Sequence, residues 1–253
     1  MKRLILLLSF LSSLAAIAQS DSVLSGVYNW KAPTKQKSLS STVLFEGKVQ
    51  DMQWLQMSAN LVFPSQKQNL AIPSNEEHLL IVKSGKLRLL VNDSSYTIGE
   101  GSTALLMPGQ TFSLQSENNQ SSEFYLMKYR SKLPVNVERG KSAGGSVVKD
   151  WNNIAFKPHD KGGRRDFFER PSAMCRRMEI HVSTLNAGLK SHDPHTHRAE
   201  EIVLVTEGDT EMQIIDAFYK GHAGSIYYLG SNVSHAIQNN GAKPCTYFAI
   251  QFE

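Results

Sequence analysis

The sequence predicts an all-β chain of two tandem barrels, each the size of a small jelly roll, and three observations carry that prediction. The chain repeats itself at an offset of 123 residues: Glu46 falls on Glu169, Gly85 on Gly208, Tyr96 on Tyr219 and Gly101 on Gly224. Near the end of each copy Phe124-Tyr125 falls on Tyr247-Phe248, while Trp30 and Trp151 open the copies two residues out of step. An offset held from Glu46 onward with no net gap marks a duplicated domain, and two units of this length are domains rather than a solenoid. Strand-sized apolar runs recur at Met178 to Leu185, Glu201 to Thr206, Glu211 to Ile215 and Thr246 to Phe252. Turn residues punctuate them at Asn186-Ala187-Gly188, Gly208-Asp209, Gly230-Ser231-Asn232 and Asn239-Asn240-Gly241. Beyond residue 18 no stretch sustains a helical period with caps. Short strands at regular spacing close into a sandwich or barrel, and a jelly roll fits the length.

Taken in order, residues 1–18 read as a secretory signal: Lys2 and Arg3, an apolar run from Leu4 to Ala15, then Ala16-Ile17-Ala18 as the small-x-small cleavage site. That run is too short for a comfortable membrane span and no later stretch approaches the needed length, so the expected product is exported, periplasmic or secreted, with no membrane span. Residues 19–40 form an N-terminal extension, 41–133 the first barrel, 134–170 a linker and 171–253 the second barrel. The formal net charge of +4 falls to about +2 once Lys2 and Arg3 leave. This is too little to point to nucleic acid. Cys175 and Cys245 sit near the starts of the first and last strands of one barrel. Antiparallel pairing of those strands would put the thiols at opposite ends, so no disulfide is expected.

The residues that carry chemistry lie in the second copy. One segment reads Gly188-x6-His195-x-His197-x3-Glu201-x6-Gly208 and another Gly224-x10-His235-x3-Asn239. With eight His and fourteen Glu in the chain, His-x-His-x3-Glu is expected by chance roughly 0.01 times. Residues two apart on a strand share a face, so His195 and His197 project together, Glu201 keeps their parity, and a strand bearing His235 closes the cluster. Three imidazoles and a carboxylate suit one divalent transition metal (Mn, Fe, Ni, Cu or Zn) rather than calcium. His192, beside Pro194, reads as a loop residue. At the 123-residue offset His195 maps to Ile72, His197 to Ser74, Glu201 to His78 and His235 to Phe112, or to Ser113 with a one-residue slip. Neither register supplies a ligand set, so the first copy is expected to hold no metal there, with His78 a core or surface histidine.

These two segments resemble the paired motifs of the cupin superfamily, and the duplication makes the chain similar to a bicupin. The first family motif, Gly-x5-His-x-His-x3,4-Glu-x6-Gly, stands here with one extra residue before His195. In the second, Gly-x5-Pro-x-Gly-x2-His-x3-Asn, Gly224, His235 and Asn239 match, while Gly230 stands for the proline and Asn232 for the second glycine. The resemblance implies two RmlC-like jelly-roll barrels with the metal inside the second. The layout is similar to that of ureidoglycine aminohydrolases, whose Glu-x-His-x3-His pattern and later Gln differ from the ligands here. The three-His, one-Glu set is closer to germin-like cupins and oxalate-handling bicupins.

A six-coordinate metal held by four protein ligands keeps about two positions for water or a bidentate substrate. Proton transfer then needs a further group, for which His181, Glu179 and Gln213 on nearby strands are the candidates. Arg164 and Arg165, within Lys161 to Arg170, are candidates to clamp a substrate carboxylate. Three functions stay open: a metal-dependent enzyme on a small polar carboxylate or sugar-like molecule, a non-catalytic binding protein, and a germin-like redox activity on superoxide or oxalate. A small-molecule ligand is the expected partner, and exposed sheet edges leave a homo-oligomer open.

Overall fold

Alternation of buried and exposed side chains, as in Lys86-Leu-Arg-Leu-Leu-Val91, dictates strands over most of the chain. The structure is a computed structural model and describes residues 21–34, 39–64 and 66–253; the expected signal segment, 1–18, lies outside the described residues. The strands are β1 (Gly26–Asn29), β2 (Ser40–Gly47), β3 (Met52–Val62), β4 (Lys67–Ala71), β5 (Glu77–Ser84), β6 (Lys86–Val91) and β7 (Ser94–Gly99). Next come β8 (Thr103–Leu106), β9 (Thr111–Ser116), β10 (Ser122–Ser131), β11 (Val147–Lys149), β12 (Lys157–His159), β13 (Gly162–Arg170) and β14 (Met178–Leu185). The last are β15 (Glu200–Glu207), β16 (Asp209–Ile214), β17 (Ala217–His222), β18 (Ser225–Leu229), β19 (His235–Asn239) and β20 (Cys245–Phe252).

Two sheets, ordered β11-β8-β5-β10-β3-β2 and β4-β9-β6-β7, form the first barrel. Two more, β1-β18-β15-β20-β14-β13-β12 and β17-β16-β19, form the second. The strand registers within the two barrels obey the 123-residue offset except in the segment that leads to His195, where the bridge to His235 runs two residues ahead of Leu70–Phe112. Ser58 pairs with Leu126 as His181 pairs with Ala249, and Val91 pairs with Phe112 as Ile214 pairs with His235. Even the bulges coincide, between Val43 and Phe45 in β2 and between Asp166 and Phe168 in β13.

The stretch expected to be a linker, 134–170, is not a bare connection. It carries β11, β12 and β13 and a short helix, α1 (Val137–Ser142), whose N-cap Asn136 accepts from Arg139 N at 2.8 Å. Six residues are too few to show a helical period in the sequence. The barrels also exchange strands: β1 of the extension pairs with β18 of the second barrel, and β11 pairs with β8 of the first. Each exchanged strand leads a tryptophan onto a glycine of the other barrel. Trp30 N donates to Gly224 O at 2.9 Å, and a Cβ on Gly101 would lie 2.5 Å from Trp151 Cε3. The two-residue slip between the tryptophans follows from this, since both exchanged strands share it.

Three apolar clusters stabilise the assembly. Leu80, Leu89, Phe112 and Leu114 fill the first barrel, and Val205, Met212, Tyr227 and Ile237 fill part of the second. The largest cluster lies between the barrels and joins Leu55, Met57, Leu79 and Met127 to Ile180, Ile202, Phe248 and Ile250. Burying such side chains is worth about 1.5–3 kcal/mol each, so the two barrels share one core. Two buried carboxylates tie it across the pseudo-dyad. Glu77 accepts from Tyr129 Oη (2.8 Å) and Ala173 N (3.1 Å), and its twin Glu200 accepts from Gln50 N (2.8 Å) and Asp51 N (2.9 Å). Cys175 and Cys245 are free and buried, Cys175 in the shared core and Cys245 inside the second barrel.

Candidate metal centre

His195 and His197 lie in the extended segment leading into β15, and His235 opens β19. A pair of backbone hydrogen bonds joins the two segments, His195 N to His235 O at 3.1 Å and His235 N to His195 O at 3.0 Å. Asn232, in the left-handed region at φ +58° where the family motif has its second glycine, donates its N–H to His197 O at 2.8 Å. These bonds bring the donor nitrogens of His195, His197 and His235 within 4.8 Å of one another. Glu201, on β15, presents Oε2 at 3.0 Å from His197 Nε2 and 3.4 Å from His235 Nε2. Ligands about 2.1 Å from one metal stand about 3.0–3.4 Å apart at octahedral or tetrahedral angles, so the two separations from Glu201 fit.

The hydrogen-bond inventory supports the fit independently. His197 Nδ1 lies 2.8 Å from Ala199 O and His235 Nδ1 lies 2.8 Å from Val233 O. A carbonyl only accepts, so both Nδ1 atoms carry the proton and both Nε2 atoms are left as acceptors facing the Glu201 carboxylate. Acceptors facing an acceptor in a buried site need a cation between them, either a proton on the imidazole or a metal. The His235 Nε2 atom, buried and without an aligned hydrogen bond, shows the same need. Burial pushes the Glu201 carboxyl up, but His197 and His235 outweigh it and hold it down at about 2. Burial and the neighbouring imidazoles push His195 down, whereas the Glu201 hydrogen bond raises His197.

The centre lines a cavity of about 320 Å³ inside the second barrel. His181 and Glu179 share the inward face of β14, since Met178, Ile180 and Val182 point into the shared core. His181 Nδ1 lies 2.9 Å from Glu179 Oε1, and Glu179 in turn accepts from Arg164 Nη2 at 2.7 Å and from Arg177. Burial and Arg164 push His181 down, favouring the neutral ring.

Two expected site residues lie elsewhere. Gln213 is not at the centre. On β16 it alternates with Met212, which lines the cavity, so its side chain turns outward and donates to Ile215 O at 3.0 Å. Arg165 is not beside Arg164 in the cavity either. Adjacent residues of β13 face opposite ways, and Arg165 lines a separate cleft between the barrels. Arg164 reaches the cavity, but Asp166 and Glu179 already engage its Nε and Nη2. Conversely, Lys161, His159 and His192 line the cavity without having been singled out as site residues. The His192 ring stands edge-on to that of His195 at 4.1 Å. Its spacing of three from His195 could have flagged it, had Pro194 not pointed to a loop.

In the first barrel Phe112 occupies the place of His235 in the apolar interior, but its ladder partner is Leu70 where that of His235 is His195, so Leu70 rather than Ile72 stands at the His195 position. Ile72 is buried and Ser74 is exposed. The register pairs Val91 with Phe112, which removes the slip to Ser113. His78 is buried, with Nε2 3.0 Å from Glu76 Oε2, and Glu76 also binds Arg130.

The family profile described as Cupin domain matches residues 181–251, which span β14 to β20. The C-terminal barrel is a cupin domain. No curated protein matches this chain. Among solved structures, AerE from Microcystis aeruginosa is similar with a TM-score of 0.67 at 16% identity, over 89% of this chain and 98% of that one. Protein Ylba from E. coli gives 0.65 at 15%, over 92% and 88%. Oxalate decarboxylase from Bacillus subtilis gives 0.65 at 12%, over 91% and 77%. At such identities the likeness shows the fold, a tandem pair of jelly-roll barrels.

Proposed function

We propose that this cupin pair binds one divalent transition metal through His195, His197, Glu201 and His235 and acts as a metal-dependent enzyme on a small anionic molecule. The opposed acceptors, the two Nε2 atoms and the Glu201 carboxylate, carry the reading. When bound, such a metal supplies a Lewis acid and a water of lowered pKa. The chain's own residues supply the rest. Lys161, whose ammonium donates to Ser191 O at 2.9 Å and meets no carboxylate among the described residues, draws an anion to the mouth. His181, kept neutral, accepts a proton from the reacting group, and Glu179 stabilises the imidazolium that results while Arg164 and Arg177 fix the carboxylate. Arg164 thus positions the base rather than clamping the substrate. The likeness to oxalate decarboxylase makes short mono- and dicarboxylates the first molecules to try. Export belongs to the same reading, and the mass of the secreted chain tests it: cleavage after Ala18 leaves Gln19 first.

The test combines elemental analysis with a turnover screen of short carboxylic acids. Wild type should contain about one metal per chain and turn over a member of the panel. His181→Gln should keep the metal and lose turnover, and His197→Ala should lose both. Saturable binding of an acid with no turnover would transfer the assignment to a binding protein, and a wild type that takes up no metal would sink it.

A further inference from the structure

We propose that the cleft between the barrels is a second ligand site, independent of the metal centre, for a planar organic monoanion such as an aromatic carboxylate. The cleft has a volume of about 1090 Å³, against about 320 Å³ for the metal cavity. Arg165, turned away from the metal, lies on its wall with its guanidinium carbon 4.6 Å from the Trp151 ring centre and 5.3 Å from that of Phe156. One amino group, Nη1, donates to Ile154 O. No carboxylate among the described residues pairs with Arg165, although its neighbour Arg164 has two such partners. A stacked, preoriented and unpaired guanidinium between two aromatic rings is a receptor for a carboxylate carried on a flat apolar body.

Tyr125 points to the same ligand independently. Its side chain is 1% exposed, its hydroxyl lies beside Gly224 on the cleft wall, and no described residue hydrogen-bonds that hydroxyl. Burial, then Glu123, push the phenol above its ordinary value, so it stays a donor. Its twin in the repeat, Phe248, fills the equivalent place without a hydroxyl, so packing does not require one. An unpaired donor that opens onto an aromatic cleft is free to take an acceptor brought from outside. The charges on the wall nearly balance, Lys86 and Arg165 against Glu100 and Glu207 with Lys83 held by Glu123, so no excess of cations favours a dianion or inorganic phosphate over a single carboxylate.

Calorimetric titration of the full chain with indole-3-acetate, and with neutral indole as comparator, tests the site. The expected result is one saturable site per chain with indole at least tenfold weaker. Arg165→Gln should weaken indole-3-acetate at least tenfold. Tyr125→Phe, which copies the repeat's own residue and keeps the packing, should weaken it a few-fold. His197→Ala should leave it unchanged. Absence of saturable binding, equal binding by Arg165→Gln, or loss of binding in His197→Ala, which would put the probe at the metal centre, would each overturn the proposal.

Discussion

Replacing His197 by Ala perturbs the metal centre most directly, and its effect can be worked out in advance. The imidazole Nε2 lies 3.0 Å from a Glu201 carboxylate that, among the described residues, otherwise meets the His235 ring at 3.4 Å and Gln251 Nε2 at 3.3 Å. A four-ligand structural zinc site gathers roughly 10–16 kcal/mol, so one ligand corresponds to about 3 kcal/mol, an affinity loss of about 150-fold. At a metal concentration about 100 times the wild-type Kd, the wild type gains about 2.7 kcal/mol of stability and the variant about 0.3 kcal/mol. For a chain of this size the difference amounts to about 5–10 °C in metal-dependent Tm. Scanning calorimetry with and without titrated zinc or manganese measures it. The metal-free forms serve as baselines, because the truncation also leaves Glu201 short of a hydrogen bond worth about 1.5–3 kcal/mol. A variant that shows the wild-type rise in Tm, or full metal content, would refute the ligand assignment.

Glu77 gives a pH-dependent prediction. Burial, opposed by its hydrogen bonds, raises its pKa above the ordinary 4.5 in the folded chain. The folded state then holds a proton that the unfolded state releases, so this stabilisation is complete below pH 4.5 and is lost as pH rises through the raised value. Urea midpoints should fall with pH above about 4.5 more steeply in the wild type than in Glu77→Gln, and parallel profiles would count against this account. Ile215 holds φ +55° at the hairpin tip where its twin, Asn92, holds +48°. A β-branched residue is strained there, so Ile215→Asn should raise stability by about 1 kcal/mol in urea unfolding. Gly101→Ala adds a Cβ 2.5 Å from Trp151 at φ +77° and should cost about 3 kcal/mol. Gly224→Ala, whose nearest contact is Trp30 Cβ at 3.1 Å, should cost less by the same assay.

The duplication and the convergence of His195, His197, Glu201 and His235 were legible because each leaves a periodic or spaced mark: the offset recurs in most of the ladders, and His-x-His-x3-Glu is rare by chance. The exchange of β1 and β11 left almost none. A short strand joining the far barrel has the same alternation as one joining its own, and only the slipped tryptophans hinted at it. Facing was legible in relative terms alone. Alternation puts Glu179 with His181 and separates Arg164 from Arg165, but which face turns inward depends on packing in the shared core. Gln213 was misplaced for the same reason. Lys161 reaches the cavity through tertiary folding of the β12–β13 connection, which no local pattern announces.

Strand exchange has a consequence for how such a chain comes apart. A fragment starting at residue 171 lacks β13 and β1, and its sheet would present two unsealed borders and half of an apolar face built for a neighbour. A one-barrel ancestor would have met that need by trading arms with a second copy of itself. Joining the two copies in one chain holds the traded arms at high effective concentration. The first barrel, with Leu70 and Phe112 where the second has His195 and His235, thus braces its neighbour through the shared core.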